Sequence, residues 1–305
     1  MPQYFNEIPR DRQAWQNATA RAGVTDKTLR GCQDLGPGSQ ITETQFLLFR
    51  TICPPLVGPQ LFNPDAMGLN IQAARVILNS VTDFQNYINV VGTNQWHGLE
   101  TFRTTLIQQW EVLQGDLHRQ NPLIAHDENS VNSSLLSFLQ AIVSFDPNRR
   151  RMWRSKRLRL TGNFGTVASG GKMVERKYVA ITDGQLQEIT NSAISSIAEC
   201  KVSDRYSHSP AVDMQEVAQV VAWVNQYPDT SNATTYRRDL VSADGRDIFI
   251  SFAEYDSNWA YYIQRSRGVA NAGLMRMRRF GPWKIDEPQD MRQFAKIALA
   301  VAMRQ

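Results

Sequence analysis

One segment of this chain cannot be buried in an apolar core. Residues 149–159 read RRRMWRSKRLR, with seven basic residues in eleven. A run this dense repels itself, so it is stable only in water or against a polyanion. Arginine forks grip phosphate with two hydrogen bonds, and an interleaved aromatic such as Trp153 can stack on a base. The run therefore predicts nucleic-acid contact, with a solvated joint between two halves of the chain as the alternative.

The rest of the positive charge also lies in the second half. Residues 1–145 hold nine Lys and Arg against twelve Asp and Glu, whereas residues 146–305 hold 24 against 17. Arginine outnumbers lysine 26 to 7, which favours bidentate phosphate contacts over simple solubilising charge. The composition thus supports a polyanionic partner for the second half.

Cysteine usage and hydropathy limit the class of protein. A hydrophobic content of 42% and an aromatic content of 10% argue against disorder. Cys32, Cys53 and Cys200 are widely spaced, which predicts free thiols in a reducing compartment. The N-terminus has no apolar signal region and no stretch is long enough to span a bilayer. We therefore expect a cytosolic, non-secreted protein without a membrane partner.

The first half divides into a polar arm and a set of helices. Residues 1–40 are broken by glycine and proline and predict an extended arm that reaches a neighbouring subunit, with one short helix. Thr42–Gln45 is a capping box, and a long helix is predicted from Asn63 to Gly92. Similar apolar spacing continues until Asp146-Pro147, so residues 41–147 predict a helical lobe.

The second half mixes helices and strands. Residues 148–172 predict a basic, glycine-rich junction, and residues 173–305 a mixed C-terminal lobe. Within that lobe we expect a strand at 174–182, a helix at 186–197 and a hairpin that turns at Asp244-Gly245. Residues 259–264, WAYYIQ, predict a third strand of the same meander. The predicted fold is mainly α with a small β component (α+β), in two lobes.

No catalytic or metal-binding motif is complete. Residues 160–167 resemble a kinase glycine-rich loop, but Thr182 stands where the lysine would follow. Gly170-Gly171-Lys172 resembles a P-loop, but Met173 replaces the hydroxyl residue that would hold magnesium. No HExxH, zinc spacing or GxSxG elbow is present. The sequence predicts neither an enzyme nor a cofactor, and a nucleotide-binding enzyme that uses the 162–172 loop is the weaker alternative.

The predicted RNA-binding residues form two groups. The first group, from the basic run, is Arg149, Arg150, Arg151, Arg154, Lys156, Arg157 and Arg159, with Trp153 as the stacking residue. The second group is Arg265, Arg267, Arg276, Arg278 and Arg279. Since no RRM, KH or zinc-finger signature appears, we expect RNA binding that is largely independent of sequence.

A pattern in residues 236–280 is similar to one found in viral proteins. An arginine, Arg237 or Arg238, precedes the aromatic-flanked acidic segment Phe252–Asp256, and Arg267–Met277 contains further Arg, Ala and Met. This pattern resembles the core of filamentous RNA-virus coat proteins and nucleocapsids. The resemblance implies an ion pair between Arg238 and Asp256 that braces the fold near an RNA groove.

The same resemblance implies a function and a location. It implies a viral structural protein that assembles with itself and packages RNA, and that is found in the virion and the host cytoplasm. The predicted arm at residues 1–40 would then link adjacent subunits. An icosahedral capsid or inner-coat protein, with its arginines in subunit contacts, is the alternative.

Overall fold

The chain is described here from a computed structural model that covers residues 7–121, 123–125, 127–265 and 272–304. Within these residues, nine strands form a seven-stranded mixed sheet and a separate two-stranded hairpin. In chain order they are β1 (Thr51–Ile52), β2 (Arg151–Arg154), β3 (Leu158–Ser169), β4 (Lys172–Thr182), β5 (Gly184–Glu188), β6 (Ile194–Lys201), β7 (Thr235–Asp244), β8 (Asp247–Asp256) and β9 (Met275–Lys284).

Ten α-helices surround the sheet within the described ranges. They are α1 (Arg12–Arg21), α2 (Glu43–Leu48), α3 (Ile71–Ser80), α4 (Thr82–Val90), α5 (Arg103–Leu117), α6 (Glu128–Ser144), α7 (Arg205–His208), α8 (Ala211–Gln226), α9 (Ser257–Arg265) and α10 (Pro288–Met303). Side chains cap several of them: Thr42 accepts from the Gln45 amide, and Asp127 accepts from the Ser130 amide. The predicted start of α2 at Thr42 is thereby confirmed, but the capping box is only half formed, because the Gln45 side chain bonds the Gly36 backbone instead of the Thr42 amide.

The large sheet has the order β1-β9-β8-β7-β6-β5-β2. Strands β7, β8 and β9 form an antiparallel meander, while β6 pairs in parallel with β7 and β1 in parallel with β9. The predicted hairpin at Asp244-Gly245 is confirmed, because Asp244 pairs with Asp247 across a turn in which Gly245 has φ +60°. Strand β2 lies at the end of the sheet next to β5.

Two apolar cores lie against opposite faces of this sheet. Alternation along β7 sends Leu240 into one core and Val241 into the other. Helices α3–α6 and α10 pack on the Val241 face, and α8, α9 and the N-terminal segment on the Leu240 face. Helix α8 is buried along residues 217–224 because it also contacts the β3–β4 hairpin.

The expected fold class is wrong. Helices make up 43% and strands 25% of the described residues, and the seven-stranded sheet makes this an α/β fold. Residues 186–197, expected as a helix, form the end of β5, a connecting turn and the start of β6. The division into two lobes also fails: β1 from the first half completes the sheet beside β9, and both cores draw on both halves.

The expected N-terminal arm is wrong for residues 7–40, which fold onto the same chain. The indole Nε1 of Trp15 donates to the Leu47 carbonyl at 3.1 Å, and the Cys53 amide donates to the Pro9 carbonyl at 2.8 Å. Leu29 is fully buried in the core beside α8 and α9. Residues 1–6 of the expected arm lie outside the described residues.

Candidate nucleic-acid interface

The basic run begins at the edge strand β2. Alternation along this strand places Trp153 in the core beneath α6, where it is only 3% exposed, and leaves Arg154 exposed. The predicted stacking role of Trp153 is therefore wrong, since its ring is covered by its own chain. The 148–172 junction is likewise not a loop, because it contains β2 and most of the β3–β4 hairpin.

Two arginines of the run are held by carboxylates. Arg151 Nε donates to Glu188 Oε1 at 2.6 Å, which joins β2 to β5. Arg157 donates from Nε and Nη2 to the buried Asp183, at 3.0 and 2.6 Å, and from Nη2 to Glu128 at 3.1 Å. The hydrogen bonds to Asp183 raise the pKa of the Arg157 guanidinium. Both arginines brace the fold, so neither is a free phosphate ligand.

The other basic residues of the run are exposed, and their side chains have no ion-pair or hydrogen-bond partner within the described part of the chain. We call them the basic surface: Arg149, Arg150, Arg154, Lys156 and Arg159. Elsewhere about half of the described arginines pair with carboxylates: Arg10, Arg21, Arg119, Arg205, Arg237, Arg238, Arg246, Arg278, Arg279 and Arg304. The basic surface therefore concentrates five uncompensated cations within eleven residues.

Only part of the second predicted group is accessible. Arg278 pairs with Glu254 at 2.9 Å, and Arg279 pairs with Asp213 and donates to the Pro54 carbonyl. Arg265 and Arg276 are exposed. Arg267 lies outside the described residues. Arg279 is not a free phosphate ligand, because its side chain is only 11% exposed and is paired with Asp213. Arg278 shares Glu254 with Arg237 and is 35% exposed, so its phosphate contact stays a prediction.

The ion pair implied by the viral resemblance is not formed. Arg238 pairs with Asp229 at 2.9 Å and lies 4.5 Å from the ring centre of Trp223. Asp256 instead accepts from the Trp259 amide at 2.8 Å, at the start of α9. The expected strand at 259–264 is also wrong, since these residues belong to α9.

The glycine-rich segment is a β-hairpin. Gly170 and Gly171 form its turn with φ +56° and +76°, and Gly165 lies at a bulge in β3 with φ +87°. A P-loop needs a loop that leads into a helix N-terminus. Because residues 162–172 lead from one strand to the next, they provide no such phosphate cradle.

A buried polar layer separates α8 from the sheet. Arg205 Nη1 donates to Asp213 and its Nε to Asp244, both at 2.8 Å, and Arg205 Nη2 contacts Glu216. Burial raises the pKa of Asp244 to about 6, although Arg205 opposes that rise. All four ionised groups are buried, so this cluster serves the fold and not a ligand.

A second polar cluster in the same layer adjoins the basic surface. Glu199 on β6 accepts from Lys201 and Gln219, both at 2.5 Å, and also from Gln215. Burial raises the pKa of Glu199 to about 8. Together with Arg157 and Arg159, these residues line a cavity of about 500 Å³.

Sequence reasoning missed this layer, although a signal is present. Asp213, Glu216 and Gln219 recur every three residues in an otherwise apolar helix. That spacing predicts a polar stripe on one helical face, and the apolar residues around it predict that the stripe is buried.

Searches for metal sites, membrane spans and relatives give negative results. Within the described ranges, no group of three or more His, Cys, Asp or Glu side chains is placed to hold a metal ion. None of the described helices is long and apolar enough to cross a membrane. The sequence matches no protein-family model and shows no significant similarity to a curated protein.

Proposed function

We propose that this chain is a structural RNA-binding protein that holds the phosphate backbone on its basic surface. The observation that carries the proposal is the clustering of five exposed cations without a described carboxylate partner within eleven residues, whereas the other unpaired arginines are scattered along the chain. The five are Arg149, Arg150, Arg154, Lys156 and Arg159. Arginine and lysine that neutralise phosphates release condensed counterions, and this favours binding to any sequence.

We further propose that the protein coats viral RNA and assembles with further copies of itself, in the virion and the host cytoplasm. The support for this part is the basic surface together with the order of residues at 236–280, which resembles the coat-protein pattern although the implied ion pair between Arg238 and Asp256 is not formed. In a coat protein, contacts to the phosphate backbone serve every position along the genome equally, because they carry no base information.

The salt dependence of RNA binding tests the first proposal. Each phosphate contact on a single strand contributes about 0.7 to the steepness of log K against log salt concentration. We therefore expect the triple variant Arg149→Gln, Arg150→Gln and Arg154→Gln to reduce that steepness by about 2. The control replaces Arg10, Arg119 and Arg246 by Gln, which are exposed but paired with carboxylates. An equal loss in both triple variants, or no RNA binding by the parent protein at low salt, would overturn the proposal.

Electron microscopy with and without RNA tests the coat function. Helical rods that form with RNA support it, whereas closed shells that form without RNA favour the icosahedral alternative with arginines in subunit contacts. Monomers under both conditions, in a protein that still binds RNA, would overturn the coat function alone.

A further inference from the structure

A second cationic site lies farther along β3 from the basic surface. It is a cavity of about 320 Å³ lined by Arg30, Phe164, Gly165, Tyr261, Gln264 and Arg265. Among the described residues, two guanidinium groups line it and no carboxylate does. Neither Arg30 nor Arg265 forms an ion pair with any described residue. The cavity therefore carries a net positive charge beside apolar and aromatic groups.

Tyr261 on helix α9 lines this cavity, and its ring is exposed to water. Trp259, Tyr262 and Ile263 are buried, while Tyr261 on the opposite side is 61% exposed. Arg265 follows Tyr261 by four residues, so the two side chains share one face of the helix. An aromatic ring beside a guanidinium offers both a stacking surface and a phosphate contact.

The other wall of the cavity is shaped around Arg30. Its Nη2 donates to the Thr166 carbonyl at 2.7 Å, and its other N–H groups have no partner among the described residues. A Cβ atom at Gly165 would lie 3.0 Å from Arg30 Nη1. The bulge and the glycine together admit the guanidinium against the strand.

We propose that this cavity binds one nucleotide of single-stranded RNA, with the base stacked on Tyr261 and the adjoining phosphates held by Arg30 and Arg265. The inference rests on the proposed RNA-binding function and adds a base contact to it. From Arg159 to Gly165 the strand spans about 20 Å, at about 3.3 Å per residue. One strand of RNA that follows β3 would therefore meet both sites.

Single-stranded RNA is favoured over a duplex by the chemistry of the site. The faces of bases in a duplex are covered by their neighbours, whereas those in a single strand are free to stack on an aromatic side chain. Because every base has a face that can stack on an aromatic ring, we expect stacking on Tyr261 to tolerate every base.

Binding of labelled 12-nucleotide RNA tests the inference, with an abasic oligonucleotide and an RNA duplex of equal length as comparisons. We expect Tyr261→Ala to weaken binding of the single strand about ten-fold and to leave the other two affinities unchanged. Tyr261→Phe keeps the ring and should bind as the parent does. Tyr206→Ala removes another exposed tyrosine, 71% exposed on α7, and should also have no effect.

A crosslink locates the contact independently of affinity. RNA that carries 4-thiouridine should crosslink to Tyr261 on irradiation, and Arg30→Gln with Arg265→Gln should reduce the yield. Unchanged binding by Tyr261→Ala, or equal weakening toward the abasic strand, overturns the stacking site and leaves the basic surface standing. Absence of RNA binding by the parent protein instead overturns the proposed function itself.

Discussion

Arg157 reaches Asp183 with two of its N–H groups, at 3.0 and 2.6 Å, from the middle of a segment whose other cations are mostly unpaired. The pair joins the start of β3 to the residue before β5, and Asp183 Oδ2 also accepts from the Cys200 amide. One residue of the run thus fixes the backbone that carries the exposed ones. This division of roles leads to the first prediction.

Arg157→Ala should reduce stability, whereas Arg159→Ala should reduce the salt dependence of RNA binding. The first leaves the 3% exposed Asp183 without its cation and should lower the free energy of unfolding by about 1–2 kcal/mol, reduced from a buried pair because Arg157 is 59% exposed. The second should change stability by less than about 0.5 kcal/mol. In RNA titrations only Arg159→Ala should reduce the salt slope, by about 0.7. Urea denaturation and the titrations check both, and equal behaviour of the two variants contradicts the assignment.

Glu199→Gln should flatten the pH dependence of stability. With its pKa raised to about 8 by burial, folded Glu199 keeps a proton that the unfolded chain loses above about pH 4.3. Protonated Glu199 makes its full contribution to the free energy of unfolding below the pKa that it has in the unfolded chain, and this contribution is lost as the pH rises through about 8. The free energy of unfolding of the parent relative to the variant should therefore fall from pH 5 to 8, by up to about 1.4 kcal/mol per unit. Urea denaturation measures this, with the exposed Glu100→Gln as control; a constant difference is the opposing result.

Arg205→Met should be the most damaging of the charge variants. It leaves Asp213, Glu216 and Asp244 buried with less positive charge, which costs about 3–5 kcal/mol. The deficit should shrink as pH falls toward 5, because protonation removes the uncompensated charge, and Asp244 has a pKa of about 6.

Arg205→Lys separates charge from shape at this position, and Arg246→Met is the control for loss of an exposed arginine. Arg205→Lys keeps the cation and should retain part of the stability, while Arg246→Met removes an exposed arginine and should cost less than about 0.5 kcal/mol. Thermal melts at pH 5 and 8 provide the comparison. A deficit of equal size at the two pH values would speak against uncompensated carboxylates as its cause.

Gly165→Ala and Gly170→Ala form a matched pair in the β3–β4 hairpin. Both glycines have positive φ, +87° and +56°, so each alanine should cost about 1–2 kcal/mol. A Cβ at Gly170 meets no atom within 4 Å, whereas one at Gly165 crowds Arg30. Only Gly165→Ala should therefore weaken binding of single-stranded RNA, as measured by fluorescence anisotropy. Equal losses of affinity would place the effect in the hairpin and not in Arg30.

Local signals predicted the fold where chain neighbours determine the structure. The capping residue Thr42 begins α2, and Asp244-Gly245 turns the hairpin, because both depend on contacts within a few residues. The expected helix from 63 to 92 begins only at Ile71 and is divided at Val81 into α3 and α4. The apolar pattern is the same on both sides of that break, so periodicity alone could not locate it.

Predictions failed where distant pairing decides the structure. Leu186 and Ile197 have a spacing that suits a helix, yet they face opposite cores from two neighbouring strands. The basic run was correctly expected to be largely exposed, but its pairing with Glu188 and Asp183 depends on strands that are distant in sequence. The sequence alone does not distinguish the exposed Tyr261 from its buried neighbours, because residues 259–264 predict a strand and only the helix α9 places Tyr261 on the outer face.

The position of β2 at the end of the sheet has a further consequence for solubility. An open strand edge is a template on which another chain can add, and charged side chains on such a strand oppose that addition. Here Arg151 and Arg154 belong to the edge strand, and the side-chain amide of Gln140 donates to the Trp153 carbonyl of that strand at 3.2 Å. Arg154, which we propose to attract a polyanion to this border, therefore also opposes the addition of another strand and fibre growth there.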